Sequence, residues 1–191
     1  MNAYKQINRS FQDAYATRSQ EVKRRIASWR TQPPVARAEK PTNVARAREL
    51  GYKAKQGVVI ARVRVDRGLN KRRKIQAGRK PSKEGRFYAF RKSLQARAEE
   101  RASNRFANCE VLNSYFVGQD GEYKFFEVIL LDKSHPSVLS DPNYARVIAH
   151  KGRAIRGLTS AGKKFRGLVE KGFGTSRNRP SVAQGMSRRD R

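Results

Sequence analysis

The chain has 191 residues, of which 37% are hydrophobic and 31% are charged, and its formal net charge is +28 at neutral pH. A basic excess of this size favours a polyanionic partner, and nucleic acid in particular, because the compact chain repels itself until its charge is neutralised. A membrane partner is not expected, since the sequence has no apolar run of about 18 residues and no basic amphipathic helix with a wide apolar face.

Cysteine and histidine usage argues against disulfides and metal sites. The single cysteine, Cys109, excludes an internal disulfide framework, and we expect it to be a small buried residue. His135 and His150 are too far apart in the sequence to indicate a metal site. The N-terminus lacks the apolar segment of a signal peptide. Together these features predict a protein of the reducing cytosol.

The first two predicted elements are helices. Apolar residues recur at helical spacing in residues 3–15 and again after Ser19. The residues expected to share a face are Tyr4, Ile7, Phe11 and Ala14 in the first helix, and Val22, Ile26 and Trp29 in the second. Trp29 is expected to anchor the second helix on the core rather than to stack on a base. Pro33 and Pro34 end that helix.

A short helix and a strand follow. Pro41-Thr42 opens the helix, with Thr42 as the expected N-cap, and Gly51 is placed to end it. After a basic loop at 52–57, residues 58–65 alternate as a strand. The two predicted faces of this strand are Val59, Ala61, Val63 and Val65 on one side, and Ile60, Arg62 and Arg64 on the other. We interpret its arginines as part of a phosphate-binding surface.

Segment 66–92 has eleven basic and two acidic residues. Its middle is rich in glycine, proline and charge, so we expect an arm that becomes ordered on RNA. Phe87, Phe90, Leu94 and Ala98 then predict a helix ending near residue 102, which would cover one face of a sheet. Glu99 and Glu100 are adjacent on that helix, and we expect them to pair with Arg97 and Arg101 rather than to act as an acid/base pair.

Residues 110–132 predict the hairpin at the centre of the fold, with Asp120-Gly121 as a two-residue turn. This turn would pair Phe116 with Phe125, Tyr115 with Phe126 and Leu112 with Ile129. One face would carry Val111, Tyr115, Val117, Phe126, Val128 and Leu130, and the other Leu112, Ser114, Phe116, Phe125, Glu127 and Ile129. Both faces are largely apolar, so we expect cover on both sides. Segment 103–150 has four basic and six acidic residues, which makes it the near-neutral core of a basic chain.

Beyond the hairpin, Asp141-Pro142 predicts a helix start, with Tyr144, Val147 and Ile148 buried. Segment 151–191 has twelve basic and two acidic residues, and its glycines recur every five residues from 152 to 172. This period matches neither helix nor strand. It suggests a looping segment in which glycine permits close approach to a ligand, followed from about residue 172 by a disordered tail.

Residues 157–164, GLTSAGKK, resemble a P-loop but have Lys164 where Ser or Thr should hold Mg²⁺, and no strand is predicted before them. We favour a basic loop that contacts phosphates. A nucleotide-hydrolysing or RNA-modifying enzyme and an architectural DNA-compacting protein remain as alternatives. No helix-turn-helix, zinc finger or zipper is apparent, which favours a folded RNA over sequence-specific reading of duplex DNA.

Three stretches carry a family resemblance: RARELGYKAKQGVVIARVRV at 46–65, VLNSYFVGQDGEYKFFEVILLD at 111–132 and RGLTSAGKKFRGL at 156–168. They resemble ribosomal protein fifteen of the large subunit, archaeal/eukaryotic type, over roughly residues 3–170. The resemblance implies a non-catalytic structural constituent of the cytoplasmic ribosome that binds large-subunit rRNA. It also implies contact with neighbouring large-subunit proteins, the kink-turn-binding one among them. No cofactor is expected, and Mg²⁺ would enter only as an rRNA counterion.

The predicted fold is α+β, with a small mixed or antiparallel sheet covered by helices on both faces and long basic irregular extensions. We divide the chain into an N-terminal helical extension (1–40), a core (41–150) with a basic arm (66–86), and a Gly-rich basic C-terminal extension (151–191). The predicted RNA-binding residues are Arg46, Arg48, Tyr52, Lys53, Lys55, Arg62, Arg64, Arg67, Lys71, Arg72, Arg73, Lys74, Arg79, Lys80, Arg156, Lys163, Lys164, Arg166, Arg177 and Arg179.

Overall fold

The computed structural model describes residues 2–73, 85, 87–88 and 92–168. Seven helices and six strands lie within these ranges. In chain order they are α1 (Ala3–Ala16), α2 (Gln20–Thr31), β1 (Val35–Ala38), α3 (Val44–Glu49), β2 (Val58–Asp66), β3 (Asn70–Lys71), β4 (Phe87–Tyr88), α4 (Leu94–Arg105), β5 (Cys109–Gln119), β6 (Tyr123–Asp132), α5 (Pro136–Leu139), α6 (Pro142–Ile148) and α7 (Ser160–Phe165). None of these helices has the length and apolar character needed to cross a membrane.

The core is built on one antiparallel sheet with strand order β1-β2-β6-β5, and β3 pairs with β4 in a separate two-stranded ribbon. Helix α4 covers one face of the sheet, where Ala98 and Ala102 pack on Val63 and Val128. Helix α2 covers the other face, where Trp29 packs among the side chains around Ile60. The predicted α+β class, with helices on both faces, is therefore confirmed.

Strand β2 has the two faces that its alternating sequence predicts. Ala61, Val63 and Val65 face the α4 side and Ile60 faces the α2 side, as predicted. The strand lies between β1 and β6, so both of its faces and both of its edges are covered. Because β1 comes from residues 35–38, the first forty residues supply a strand to the core as well as helices.

The predicted register of the hairpin is wrong over most of its length. It is correct at the open end, where Val111 pairs with Leu130, but two bulges then shift it by one residue each. Past Leu112, Phe116 pairs with Phe126; past Val117, Gly118 pairs with Phe125. A bulge adds one residue to one strand and reverses the side to which the later residues of that strand point.

As a result, four side chains of β5 lie on the face opposite to the predicted one. Tyr115 and Val117 belong to the cluster around Trp29. Ser114 bonds to α4, and Phe116 packs edge-on against Phe126. The turn is also longer than two residues, because β5 ends at Gln119 and β6 begins at Tyr123.

The start of α6 agrees with the prediction, whereas the cap of α3 does not. Asp141 caps α6 with Pro142 in its first turn, and Tyr144 is buried, as predicted. The cap of α3 is Asn43 rather than Thr42, because the Asn43 side chain accepts from the backbone of Arg46. Gly51 follows that helix with φ +96°, a conformation that glycine adopts without strain.

Helix α4 begins later than predicted. Ser93 caps it, and Phe87 lies in β4 instead, while Phe90 falls outside the described residues. The expected pairing of Glu99 with neighbouring arginines is also wrong. Glu99 is fully buried and accepts hydrogen bonds from Ser114 and Thr159, both at 2.5 Å. Burial raises the pKa of Glu99, although these hydrogen bonds oppose the shift.

Cys109 is buried, as predicted, and burial raises the pKa of its thiol. The thiol is therefore held protonated and unreactive. His135 has the structural role expected of it, because its Nδ1 accepts from the backbone of Ser137 at the start of α5.

A second buried carboxylate, Glu127, joins four parts of the fold. Its side chain is fully buried and accepts from the Tyr115 hydroxyl at 2.5 Å and from the backbone N–H of Thr42 at 2.9 Å. Arg62 pairs with it at 3.2 Å across β2 and β6. Strand β5, the loop before α3 and both central strands thus meet at one carboxylate.

Replacing Glu127 with Ala should lower the free energy of unfolding by about 3 kcal/mol, because it leaves Arg62 and the Tyr115 hydroxyl without their acceptor in the interior. Urea unfolding at neutral pH measures the change. Glu122→Ala, which removes an exposed carboxylate from the same hairpin, should stay within about 0.5 kcal/mol of the unaltered protein. Equal losses in the two variants would contradict the role of Glu127.

Candidate nucleic-acid interface

Most of the predicted RNA-binding cations fall into two groups according to their partners in the fold. One group pairs with carboxylates of the same chain. The other consists of exposed cations with no carboxylate partner among the described residues, some of them oriented by a ring or a carbonyl. Lys74, Arg79, Lys80, Arg177 and Arg179 lie outside the described residues and stay predictions.

Arg62 and Arg64 are brought together by β2, but both have internal partners. The Arg62 side chain is only 15% exposed, and its guanidinium lies 4.3 Å from the centre of the Trp29 ring while it pairs with Glu127. Arg64 donates to the backbone oxygen of Arg30 and lies over the ring of Tyr123. Cation–π contacts and ion pairs of this kind fix the side chains in place. Arg62 is therefore largely a core residue.

The loop at 52–57 presents two lysines that share one carboxylate. Lys53 and Lys55 lie 2.6 Å and 3.2 Å from the same oxygen of Asp141. Hydrogen bonding from Lys53 is the main reason that the pKa of Asp141 falls to about 2. One carboxylate offsets only one of the two positive charges, so the loop keeps a net positive charge. Tyr52 is half-buried beside it.

Helix α3 carries Arg46 and Arg48 on its exposed side. Arg46 lies 2.7 Å from Glu49 on the same helix, with both side chains about half exposed. Arg48 donates to the Tyr4 hydroxyl of α1 and lies over its ring. Exposed pairs like Arg46–Glu49 contribute little to stability, so a stronger anion can displace the carboxylate.

The ribbon of β3 and β4 carries the described start of the basic arm. Lys71, Arg72 and Arg73 are exposed, and no carboxylate among the described residues pairs with them. The Arg72 guanidinium lies 4.1 Å from the centre of the Tyr88 ring. A ring beneath a guanidinium orients the cation without neutralising its charge.

The segment at 151–168 is an ordered unit docked on the core. Thr159 caps α7 and also donates to the buried Glu99, while Ala154 and Ala161 are buried. Turns precede α7 where a P-loop requires a strand. The exposed Lys163 and Lys164 therefore occupy the last turn of a short helix, not a nucleotide-binding loop.

Two arginines within this segment bond to its own backbone. Arg156 donates to the carbonyl of Lys151 at 2.8 Å, and Arg166 donates to that of Gly157 at 3.1 Å. These bonds orient the two guanidinium groups at the surface of the segment.

The regular glycine spacing has an internal cause at Gly162. A Cβ there would lie 2.5 Å from the carbonyl carbon of Gly157, so the backbone at Gly157 packs directly against α7. The prediction that glycine serves approach to a ligand is wrong at this position. Gly157 itself has φ +66°, which also favours glycine.

Sequence reasoning missed a cationic group at the tip of the β5–β6 hairpin. Arg18, Lys23, Arg30 and Arg67 surround a cavity there, and of these only Arg67 was predicted. Lys23 and Arg30 are seven residues apart on α2, a spacing that places them on the same side of the helix and was visible in the sequence. Arg18 and Arg67 join them only through the folding of distant segments.

No group of His, Cys, Asp and Glu within the described ranges could hold a metal ion. A near-neutral α+β core with outward-facing cations on several loops is typical of structural proteins that bind a polyanion.

Comparison with known proteins makes the assignment specific. The family described as "Ribosomal L15" matches residues 2–185, so the chain belongs to that family.

Two relatives illustrate the similarity. "Large ribosomal subunit protein eL15" of Methanocella arvoryzae is 52% identical over 161 residues, which is 83% of this chain and 82% of the relative. The protein of the same name from Methanocorpusculum labreanum is 50% identical over 159 residues, with the same coverage of 83% and 82%. The resemblance predicted from sequence is confirmed. The family match also extends past residue 170, where the predicted resemblance ended.

Membership makes the chain a structural ribosomal protein and not an enzyme, as predicted. Its place is the ribosome, among rRNA and other ribosomal proteins. The alternatives of an RNA-modifying or nucleotide-hydrolysing enzyme and of a DNA-compacting protein are set aside on the same ground.

The low pKa of Asp141 predicts a specific pH dependence. A folded-state pKa of about 2, against a usual value of 3.8, means that this carboxylate stabilises the fold above about pH 4 and loses that effect as the pH falls towards 2. Asp141→Asn should therefore be less stable at neutral pH, and the difference from the unaltered protein should shrink between pH 4 and 2. Thermal unfolding across this range measures it; a constant difference would contradict the assignment.

Gly162→Ala should destabilise the protein by about 1–3 kcal/mol, because the added methyl group meets the Gly157 backbone. Gly121→Ala is the matched control, since a Cβ there meets nothing within 4 Å. It should change the free energy of unfolding by less than about 0.5 kcal/mol. Denaturant unfolding of both variants provides the comparison, and a neutral Gly162→Ala would show that α7 is not closely docked.

Proposed function

We propose that this protein stabilises folded large-subunit rRNA, which it binds through basic loops and extensions around its neutral core. The observation that carries the proposal is the separation of cations by partner. Arg62 is engaged inside the fold, whereas Lys71, Arg72, Arg73, Lys163 and Lys164 face outward with no carboxylate against them among the described residues. Phosphates are the counter-charge that such side chains require.

The names of the relatives support placement in the large subunit. The three-part organisation belongs to the same proposal: residues 41–150 form most of the core, 1–40 complete it with α2 and β1, and the basic side chains of 1–40 and 151–191 extend the RNA contact. No cofactor takes part, and Mg²⁺ enters only as a counterion of the rRNA. Contact with neighbouring large-subunit proteins, the kink-turn-binding one among them, is also proposed, and it rests on the family resemblance.

The irregular shape of the basic segments argues for structured RNA as the ligand. Lys53 and Lys55 lie in a loop, Lys71 and Arg72 on a two-stranded ribbon, and Lys163 on a six-residue helix. None of these is a long helix suited to the major groove of duplex DNA. Short elements that project from different parts of a core fit the clefts of a folded RNA.

The double variant Lys163→Gln/Lys164→Gln should weaken binding to deproteinised large-subunit rRNA and flatten its salt dependence. The slope of log K against log salt should fall by about 0.7–0.9 for each phosphate that is no longer neutralised, hence by about 1.4–1.8 in total. Filter binding at a series of salt concentrations, with the full chain, provides the slope.

The control removes two cations that are already paired on helices. Arg9→Gln/Arg25→Gln removes the partners of Asp13 and Glu21, which lie one turn away on the same helices. It should change the slope much less than the lysine variant. If both variants behave alike, binding follows net charge alone and the contact assigned to α7 is wrong.

A further inference from the structure

A cleft opens where the tip of the β5–β6 hairpin meets the corner between α1 and α2. Its volume is about 360 Å³. Four cations surround it: Arg18 from the corner, Lys23 and Arg30 from one side of α2, and Arg67 from the end of β2. The aliphatic side chains of Val22 and Ile26 also line it, so it combines positive charge with an apolar wall.

The cleft contains one carboxylate, and that group is fully engaged. Asp120 lies 2.7 Å from Arg30 and accepts hydrogen bonds from the backbone N–H groups of Glu122 and Tyr123. Burial alone would raise the pKa of Asp120, but these hydrogen bonds lower it overall, so the group stays ionised. Arg67 donates to the backbone oxygen of Asp120, and this carbonyl has no net charge that could neutralise the guanidinium.

Arg18 and Lys23 are exposed, and no carboxylate in the described part of the chain pairs with either. With Arg30 offset by Asp120, three of the four positive charges have no carboxylate partner among the residues that the structure describes. Like charges held around one cavity repel one another, and an anion placed between them relieves that repulsion. The cleft therefore selects an anion small enough to lie between cationic side chains.

The backbone at Arg18 is unusual. Its φ is +48°, and it is the only residue other than glycine with a positive φ among those described. The corner is tight, because Ser19 bonds back to the carbonyl of Ala14 and also caps α2. Glycine would adopt this conformation without strain, whereas arginine is strained there and sets a cation at the mouth of the cleft.

We propose that this cleft binds a phosphodiester of the rRNA backbone, with Arg18 and Lys23 as its direct contacts. Arg67 adds charge from the opposite wall, and the aliphatic wall of Val22 and Ile26 accommodates the adjoining sugar. The inference rests on the proposed function, and it adds a site built from α1, α2 and the hairpin tip to the loops already described.

The test measures binding of the full chain to deproteinised large-subunit rRNA at several salt concentrations. Arg18→Gly removes the cation and relieves the strained backbone, so it should not lower the temperature of unfolding. Combined with Lys23→Gln, it should reduce the salt slope by about 1.4–1.8. The control is Arg24→Gln, one residue away on α2 but turned by about 100° from Lys23, which should leave the slope nearly unchanged.

The outcomes separate this inference from the proposed function. Salt-dependent binding by the unaltered protein, together with a double variant whose slope matches that of Arg24→Gln, would overturn the cleft alone. Absence of salt-dependent rRNA binding by the unaltered protein would overturn both. Pyrophosphate supplies the same phosphate chemistry without RNA: if the double variant loses pyrophosphate binding but keeps its rRNA slope, the ligand is a free phosphate compound and the RNA assignment is wrong.

Discussion

A carboxylate that never reaches solvent organises this fold. Glu127 lies on the central strand β6 and is fully buried, yet it accepts from Arg62, Tyr115 and the backbone of Thr42. An unpaired charge in such a place would be costly, so each partner has to be positioned for the sheet to form. The register of β2, the course of β5 and the docking of the loop before α3 therefore depend on one another through this group.

The bulges of β5 are what bring that strand to the carboxylate. Without the extra residue at Leu112, Tyr115 would point towards α4 and its hydroxyl would miss Glu127. The same shift turns Ser114 towards Glu99, where it helps to hold the second buried carboxylate. Strand β5 is also an edge of the sheet, and Arg153 donates to the carbonyls of Val111 and Leu112. The irregular strand thus supplies a partner to each buried carboxylate, and Arg153 from the C-terminal segment covers part of its outer edge.

The fold separates cations that are paired in its interior from cations that remain on its surface. A net charge of +28 would suggest a uniformly basic surface, but the fold pairs some cations internally and leaves others exposed. Arg62 stabilises the core, Lys53 and Lys55 share Asp141, and Lys163 projects from α7 with no carboxylate partner among the described residues. A protein whose neutral core needs few of its cations can offer the remainder to phosphates, which is consistent with its membership of a ribosomal protein family.

The sequence alone determined the basic class of the protein, the position of β2 and the hairpin, and the helix starts after Ser19 and at Asp141, because charge, periodicity and capping are local properties. It also carried the family resemblance in its long motifs. Only the tertiary structure decided the register of β5, the internal role of Arg62 and the meeting of Arg18 with Arg67. These depend on contacts between residues far apart in the chain, and a bulge has no local signature strong enough to outweigh a clean alternating pattern.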